Sequence, residues 1–298
     1  MTYRSSPPRQ KSWDVRAAAN FTCGGAGTGL IVFAALAGEH GEFLALPIIA
    51  GLALVATGLL AVWHETGRPL RALHVFFHPQ TSWMSREAYV ATLLFPAGLL
   101  AAAGVPGLAW LSAALALAFV YCQARMLRAS TGIPAWREPR IVPLIVATGL
   151  AEGGGLLLAA SPWLHVDTAP LLEAFAALLL LRGVLWWVYR RALAGTAAPR
   201  ALAALDGSGA ILYVAGTLLP LALTGIAAAS APGSAGGAFA AVVAGLAAAA
   251  AGAQMKYTLV VKAGFTQGFA LAHLPVRGTA RQHPPTGART DGPGDIGT

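Results

Sequence analysis

The chain has 298 residues, 56% of them hydrophobic and only 11% charged, with a formal net charge of +8. A soluble domain carries about 25% charged residues, so this composition cannot cover a water-facing surface, and a soluble globular protein is excluded. The positive balance fits anionic headgroups or a docked partner rather than nucleic acid, and two cysteines, Cys23 and Cys122, fall short of the about four ligands used by an iron–sulfur cluster or a structural zinc site.

Residues 1–16 form a polar, basic N-terminal segment with no pattern of a cleavable signal. A membrane-crossing helix needs about 20 apolar residues. Eight stretches qualify: 17–37, 43–63, 88–104, 106–126, 141–161, 169–189, 209–229 and 235–260. The third and fourth are separated by the turn signal Gly104-Val105-Pro106-Gly107. The expected fold is an all-α integral membrane protein, a bundle of eight transmembrane helices within 17–277, with a polar interfacial loop at 64–87. Residues 278–298, rich in Gly, Pro and Thr, read as a disordered tail.

The connections alternate in length. Residues 38–42, 105, 162–168 and 230–234 are short and hold no Lys or Arg, whereas 1–16, 64–87, 127–140, 190–208 and 261–298 are long and hold 17. The positive-inside rule then assigns both termini and the 64–87 loop to the cytoplasm.

Within the first span, Gly24-Gly25-Ala26-Gly27-Thr28-Gly29 lacks the preceding strand and the Gly-Lys-Ser/Thr ending of a phosphate loop. It reads as a surface for close helix packing, with room for a flat ligand beside the second span. Glu152 and Arg182 stand inside the fifth and sixth spans. Intramembrane charges are rare and functional by default, so these two read either as a structural pair or as part of a proton path. Lys256 is expected to snorkel to the inner face, and Asp206 to cap the seventh span. The seven histidines, at 40, 64, 74, 78, 165, 273 and 283, all fall in loops or at span ends. A haem held between helices needs axial histidines within them, so no haem is expected.

The densest polar stretch is 62–91, VWHETGRPLRALHVFFHPQTSWMSREAYVA. Interfacial belt aromatics and positive-inside anchors account for its residue types, but less well for their density. A quinone ring needs a hydrogen-bond partner at each carbonyl, an apolar wall, and a proton donor or acceptor near water. Histidine titrates near neutral pH and suits the last role. The candidate quinone-binding residues are therefore His64, Arg68, Arg71, Trp83, Arg86 and Glu87, with His64 at the end of the second span binding one ring oxygen. No catalytic residue and no metal site is expected.

The segment Trp63-His64-Glu65-Thr66-Gly67-Arg68-Pro69-Leu70-Arg71-Ala72, followed by Thr81-Ser82-Trp83-Met84-Ser85-Arg86-Glu87, resembles the signature of the membrane-anchor subunit of dimethyl sulfoxide reductase-type molybdoenzymes. Glu65-Thr66 stands where that family more often has a Leu-Gly-like pair. Gln123-Ala124-Arg125-Met126-Leu127 with Ile133-Pro134-Ala135-Trp136 resembles the family's segment after the fourth span. The ending from Lys256 to Gly278 resembles anchors of cytoplasm-facing oxidoreductases, such as those oxidising phenylacetyl-CoA or sulfite. The resemblance implies a multi-pass subunit of the bacterial inner membrane, non-catalytic itself. It would exchange electrons between the menaquinone or ubiquinone pool and a four-cluster ferredoxin-like iron–sulfur subunit. Molybdopterin and the iron–sulfur clusters would reside only in partner subunits, and the family's quinol-linked histidine falls on His64. A small-solute or ion transporter working through Glu152 and Arg182 is the rival class. Transporters place their sites near the midplane at broken helices and carry internal repeats, and no repeat is visible here.

Overall fold

The computed structural model describes residues 7–38, 45–64, 69–164, 166–231 and 233–267, by backbone only for 69–72. Among them the regular secondary structure is all helical, apart from one isolated antiparallel bridge between Arg9 and Phe265. Helices α1 (Val15–Ala37), α2 (Ala45–Trp63), α3 (Trp83–Ala102) and α4 (Leu108–Ala129) come first, with a 3-10 stretch Pro69–Phe77 between α2 and α3. The short α5 (Pro134–Arg137) leads into α6 (Ile141–Ala160) and α7 (Thr168–Ala192). Then α8 (Pro199–Tyr213) runs through a π-helical segment, Val214–Leu218, into α9 (Leu219–Ala229), and α10 (Ala235–Tyr257) ends in a second, Thr258–Lys262. Seven helical segments among the described residues are long and apolar enough to cross a membrane, and the protein is a multi-pass membrane protein.

Helix starts follow local chemistry. Asp14, Ser82, Asp167 and Ser234 each cap a helix by accepting a backbone N–H one turn in. Helix α1 packs on α2, α4, α6 and α10, and its glycines explain how. A Cβ on Gly27 would meet the Gly51 carbonyl of α2, and one on Gly29 the Gly149 carbonyl of α6. Small residues four apart let backbones approach where lipid offers no hydrophobic drive between helices. The glycine run is thus a packing surface, as expected.

Two boundaries differ from the sequence expectation. Helix α3 begins at Trp83, so the Ser-Trp-Met-Ser-Arg-Glu motif is its cap and first turn rather than loop. Arg86 and Glu87 keep α3 less apolar than the seven segments, which do not include it. Helix α8 begins at Pro199, so half of the expected 190–208 loop is helical. Asp206 therefore sits inside α8, paired with Arg190 at 2.6 Å instead of capping a span. His40, Glu65, Arg68, His165 and the 278–298 tail lie outside the described residues.

Candidate functional site

A cavity of about 400 Å³ lies where the starts of α1 and α3 meet the ends of α2 and α4. All four of these helix ends adjoin the long connections, so the cavity sits at the basic end of the bundle. Trp13, just before α1, forms one wall. It stacks on Trp136 with centroids 4.9 Å apart, and the Trp136 indole N–H donates to the Leu259 carbonyl at 2.9 Å. The side chain of Gln10 accepts from the Trp13 N–H at 2.7 Å and donates to the Val260 carbonyl at 3.2 Å. These bonds tie the N-terminal segment to the end of α10.

Most of the lining is apolar, with Trp63 of α2, Val75 of the 3-10 stretch, Met84 of α3 and Met126 of α4 prominent. Besides the exposed Ser12, two polar side chains interrupt it, Glu87 and Asn20. Both are buried, at 5% and 4% exposure, and Glu87 Oε1 and Asn20 Oδ1 have no hydrogen-bond partner among the described residues. The side-chain amides of Gln123 and Asn20 lie against the Glu87 carboxyl, and Gln123 Nε2 donates to the Asn20 carbonyl at 3.0 Å. Two glycines leave room for the cluster: a Cβ on Gly24 would strike the Gln123 amide, and one on Gly58 would come within 3.0 Å of Asn20 Oδ1. Buried polar atoms are nearly always satisfied, so two orphan oxygens in the wall of one ligand-sized cavity are a place for hydrogen bonds from a guest. The arrangement suits a flat apolar body with a polar head at the membrane boundary.

Of the six residues expected to bind quinone, Glu87 lines this cavity. His64 is exposed at the end of α2 and lines a neighbouring open groove with Arg16 and Thr57. Trp63 borders both spaces and separates them. Trp83 and Arg86, both half-buried, do not line it. The guanidiniums of Arg86 and Arg125 lie 4.2 and 4.3 Å from the Trp83 ring centroid. Arg86 also donates to the Pro79 and Gln80 carbonyls at 2.8 and 2.9 Å, fixing the turn that leads into α3. Arg71 falls in the 3-10 stretch. Sequence reasoning passed over Asn20, whose signal was an amide near the start of an apolar span, one that matches Gln123 near the end of another.

The mid-span charges pair differently from expectation. Lys256 Nζ donates to Glu152 Oε2 at 2.6 Å and to the Phe21 carbonyl at 2.9 Å. Lys256 is fully buried and turned inward rather than snorkelling. Arg182 reaches Glu152 only through its field. Its guanidinium donates to the Ala248 carbonyl at 3.2 Å and to that of Gly216 in the first π-helical segment. No group of three His, Cys, Asp or Glu side chains among the described residues could hold a metal ion.

In comparisons with known proteins, no family model matches the chain and no curated protein matches its sequence.

Proposed function

We propose that this chain is the membrane anchor and quinone- or quinol-binding subunit of a molybdopterin oxidoreductase complex of the dimethyl sulfoxide reductase type, with α3 as its eighth span and no haem. It exchanges electrons between the quinone pool and an iron–sulfur subunit docked on the basic end of the bundle, which faces the cytoplasm of a bacterium.

The observation that carries this reading is the pair of orphan oxygens, Glu87 Oε1 and Asn20 Oδ1, in an apolar cavity at the membrane boundary. Glu87 exchanges a proton with one ring oxygen, and the amides of Asn20 and Gln123 hold its carboxyl in place. Trp13 and Trp63 supply flat apolar walls and exclude water from the ring. His64, beyond Trp63 and exposed to water, passes protons between the site and the medium. The basic loops steer a partner of opposite charge to the same end.

Titration of the reconstituted chain with a short-tailed ubiquinone analogue tests the reading through the fluorescence of Trp13 and Trp63. Saturable quenching, together with co-purification of a ferredoxin-like iron–sulfur protein, is the expected result. Quenching that never saturates removes the quinone site. Uptake of a small solute without quinone binding would favour the transporter class, for which the buried Glu152–Lys256 pair is the supporting observation.

A further inference from the structure

The cavity and the mid-span charges meet at two adjacent residues of α1. Asn20 lines the cavity against Glu87. Phe21 also lines the cavity, and its carbonyl accepts from Lys256 Nζ at 2.9 Å. Lys256 in turn holds Glu152 at 2.6 Å. The pair is sealed from solvent, with side-chain exposures of 0% and 1%, yet Glu152 Oε1 has no hydrogen-bond partner among the described residues. Space for the pair is left by two glycines: a Cβ on Gly25 would strike Lys256 Nζ, and one on Gly252 would come within 2.7 Å of Glu152 Oε1. Directly after α10 the helix widens into the π-helical Thr258–Lys262, a distortion often found at functional positions.

The charge balance of this cluster is uneven. Glu152 contributes one negative charge, and Lys256 and Arg182, all three buried, contribute two positive ones. Of the other elements packed there, α1 adds the half-buried Cys23, and Glu87 lies across the cavity wall. A net positive charge in a low-dielectric interior is costly. Two changes relieve it: an anion nearby, or loss of the Lys256 proton, which leaves a neutral amine beside Glu152 and a cluster of zero net charge.

We propose that the Lys256–Glu152 pair is a proton-binding site linked to the occupancy of the Asn20–Glu87 cavity. The proposal rests on the reading of that cavity as a quinone site. When a ring fills the cavity it displaces water and weakens the screening of the cluster. An Nζ–H bond of Lys256 then breaks, the electron pair stays on Nζ, and the proton leaves the sealed pair on its Phe21 side, by way of the cavity, for the medium. When the ring leaves, the amine takes the proton back. No electron moves in this step. Its effect on turnover is to hold, behind the Phe21 wall of the cavity, a base able to accept a proton as a quinol is oxidised, or, once recharged, an acid for quinone reduction. The electrons in either case are exchanged with the one-electron carrier of the iron–sulfur partner.

Calorimetric titration of the full chain in lipid nanodiscs with the short-tailed ubiquinone analogue, repeated in buffers of different ionisation enthalpy, counts the protons released per ring bound. The wild type is expected to release up to about one proton near neutral pH. The double variant Glu152→Gln/Lys256→Met keeps the net charge of the cluster through Arg182 and replaces both members of the pair, a change that buried pairs often tolerate. It is expected to bind the analogue within about threefold of wild type and to release no proton. Glu87→Gln separates any proton contributed by the cavity carboxyl. Binding with no proton release in the wild type, or with equal release in the double variant, overturns the linkage and leaves the cavity reading intact. Absence of binding to the wild type overturns both. If the double variant does not fold, the single Glu152→Gln variant decides: its proton count must differ from wild type, and an unchanged count overturns the proposal.

Discussion

Gly29 and Gly153 face each other across the α1–α6 contact so closely that a Cβ on Gly153 would overlap the Gly29 backbone. A side chain there has no flexible neighbour to displace, because both surfaces are main chain. Gly153→Val is therefore expected to separate α1 from α6 and abolish a monodisperse protein, since overpacking costs about 1–3 kcal/mol or more. Gly225 in α9 has open space around its Cβ position, and Gly225→Ala should fold normally, with a gain of about 0.5–1 kcal/mol from lower chain entropy. Size-exclusion profiles and thermal melts in detergent distinguish the two; equal behaviour would refute the packing account.

The positions of Glu87 and His64 predict different phenotypes. Glu87 is buried in the cavity wall, so Glu87→Gln should weaken binding of the quinone analogue by at least about tenfold, or about 1.4 kcal/mol. His64 stands outside the cavity, so His64→Ala should leave binding within about threefold. In the assembled complex, His64→Ala should still cut quinone-linked turnover by at least about tenfold while activity with a soluble dye persists. Normal quinone turnover in His64→Ala would remove its role in proton exchange.

Trp83 joins α3 to α4 through the two guanidiniums stacked on its faces and the edge contact with Tyr121, centroids 5.9 Å apart. A cation–π contact of this kind is worth about 0.5–1 kcal/mol at exposed sites. Trp83→Ala should lower the melting temperature, and Trp83→Phe, which keeps a ring in contact range of Arg86 and Arg125, should recover part of the loss. Quinone-analogue affinity should change little in Trp83→Phe, because Trp83 does not line the cavity. A large loss of affinity with an unchanged melt would return Trp83 to the binding site.

Asp14 opens α1 at the edge of the cavity. Its side-chain hydrogen bonds with Arg16, and then the Arg16 backbone N–H, hold its carboxyl below the ordinary value of 3.8. A carboxyl depressed in the folded state adds stability that is present above the unfolded value and is lost as pH falls through the lowered folded value. The melting temperature should therefore drop on acidification below about pH 4, and Asp14→Asn should flatten that limb of the curve. An identical acid limb in the variant would show that other carboxyls set it.

Much of the architecture could be read along the chain. Long apolar runs must be helical in lipid, because only a helix satisfies every backbone group within its own segment; seven such segments are present, and α3 follows where the third run was expected. The glycine run of α1 was legible as a packing surface because small side chains have few other uses there. Glu87 stood out because a carboxylate beside a span needs a reason to be there, and it is buried in the cavity wall. What the linear order could not supply was rotation about each helix axis and the choice of neighbours. Those settings turn Glu87 and Asn20 into one cavity while Trp83 and Arg86 lie outside its lining. They also join Glu152 to Lys256, 104 residues away, rather than to Arg182. Composition and apolar run length determine that this chain is a bundle of membrane helices, because lipid imposes that on any such sequence. Only tertiary packing, through glycine contacts that set how closely and at what rotation the helices meet, decided which buried polar groups share a site.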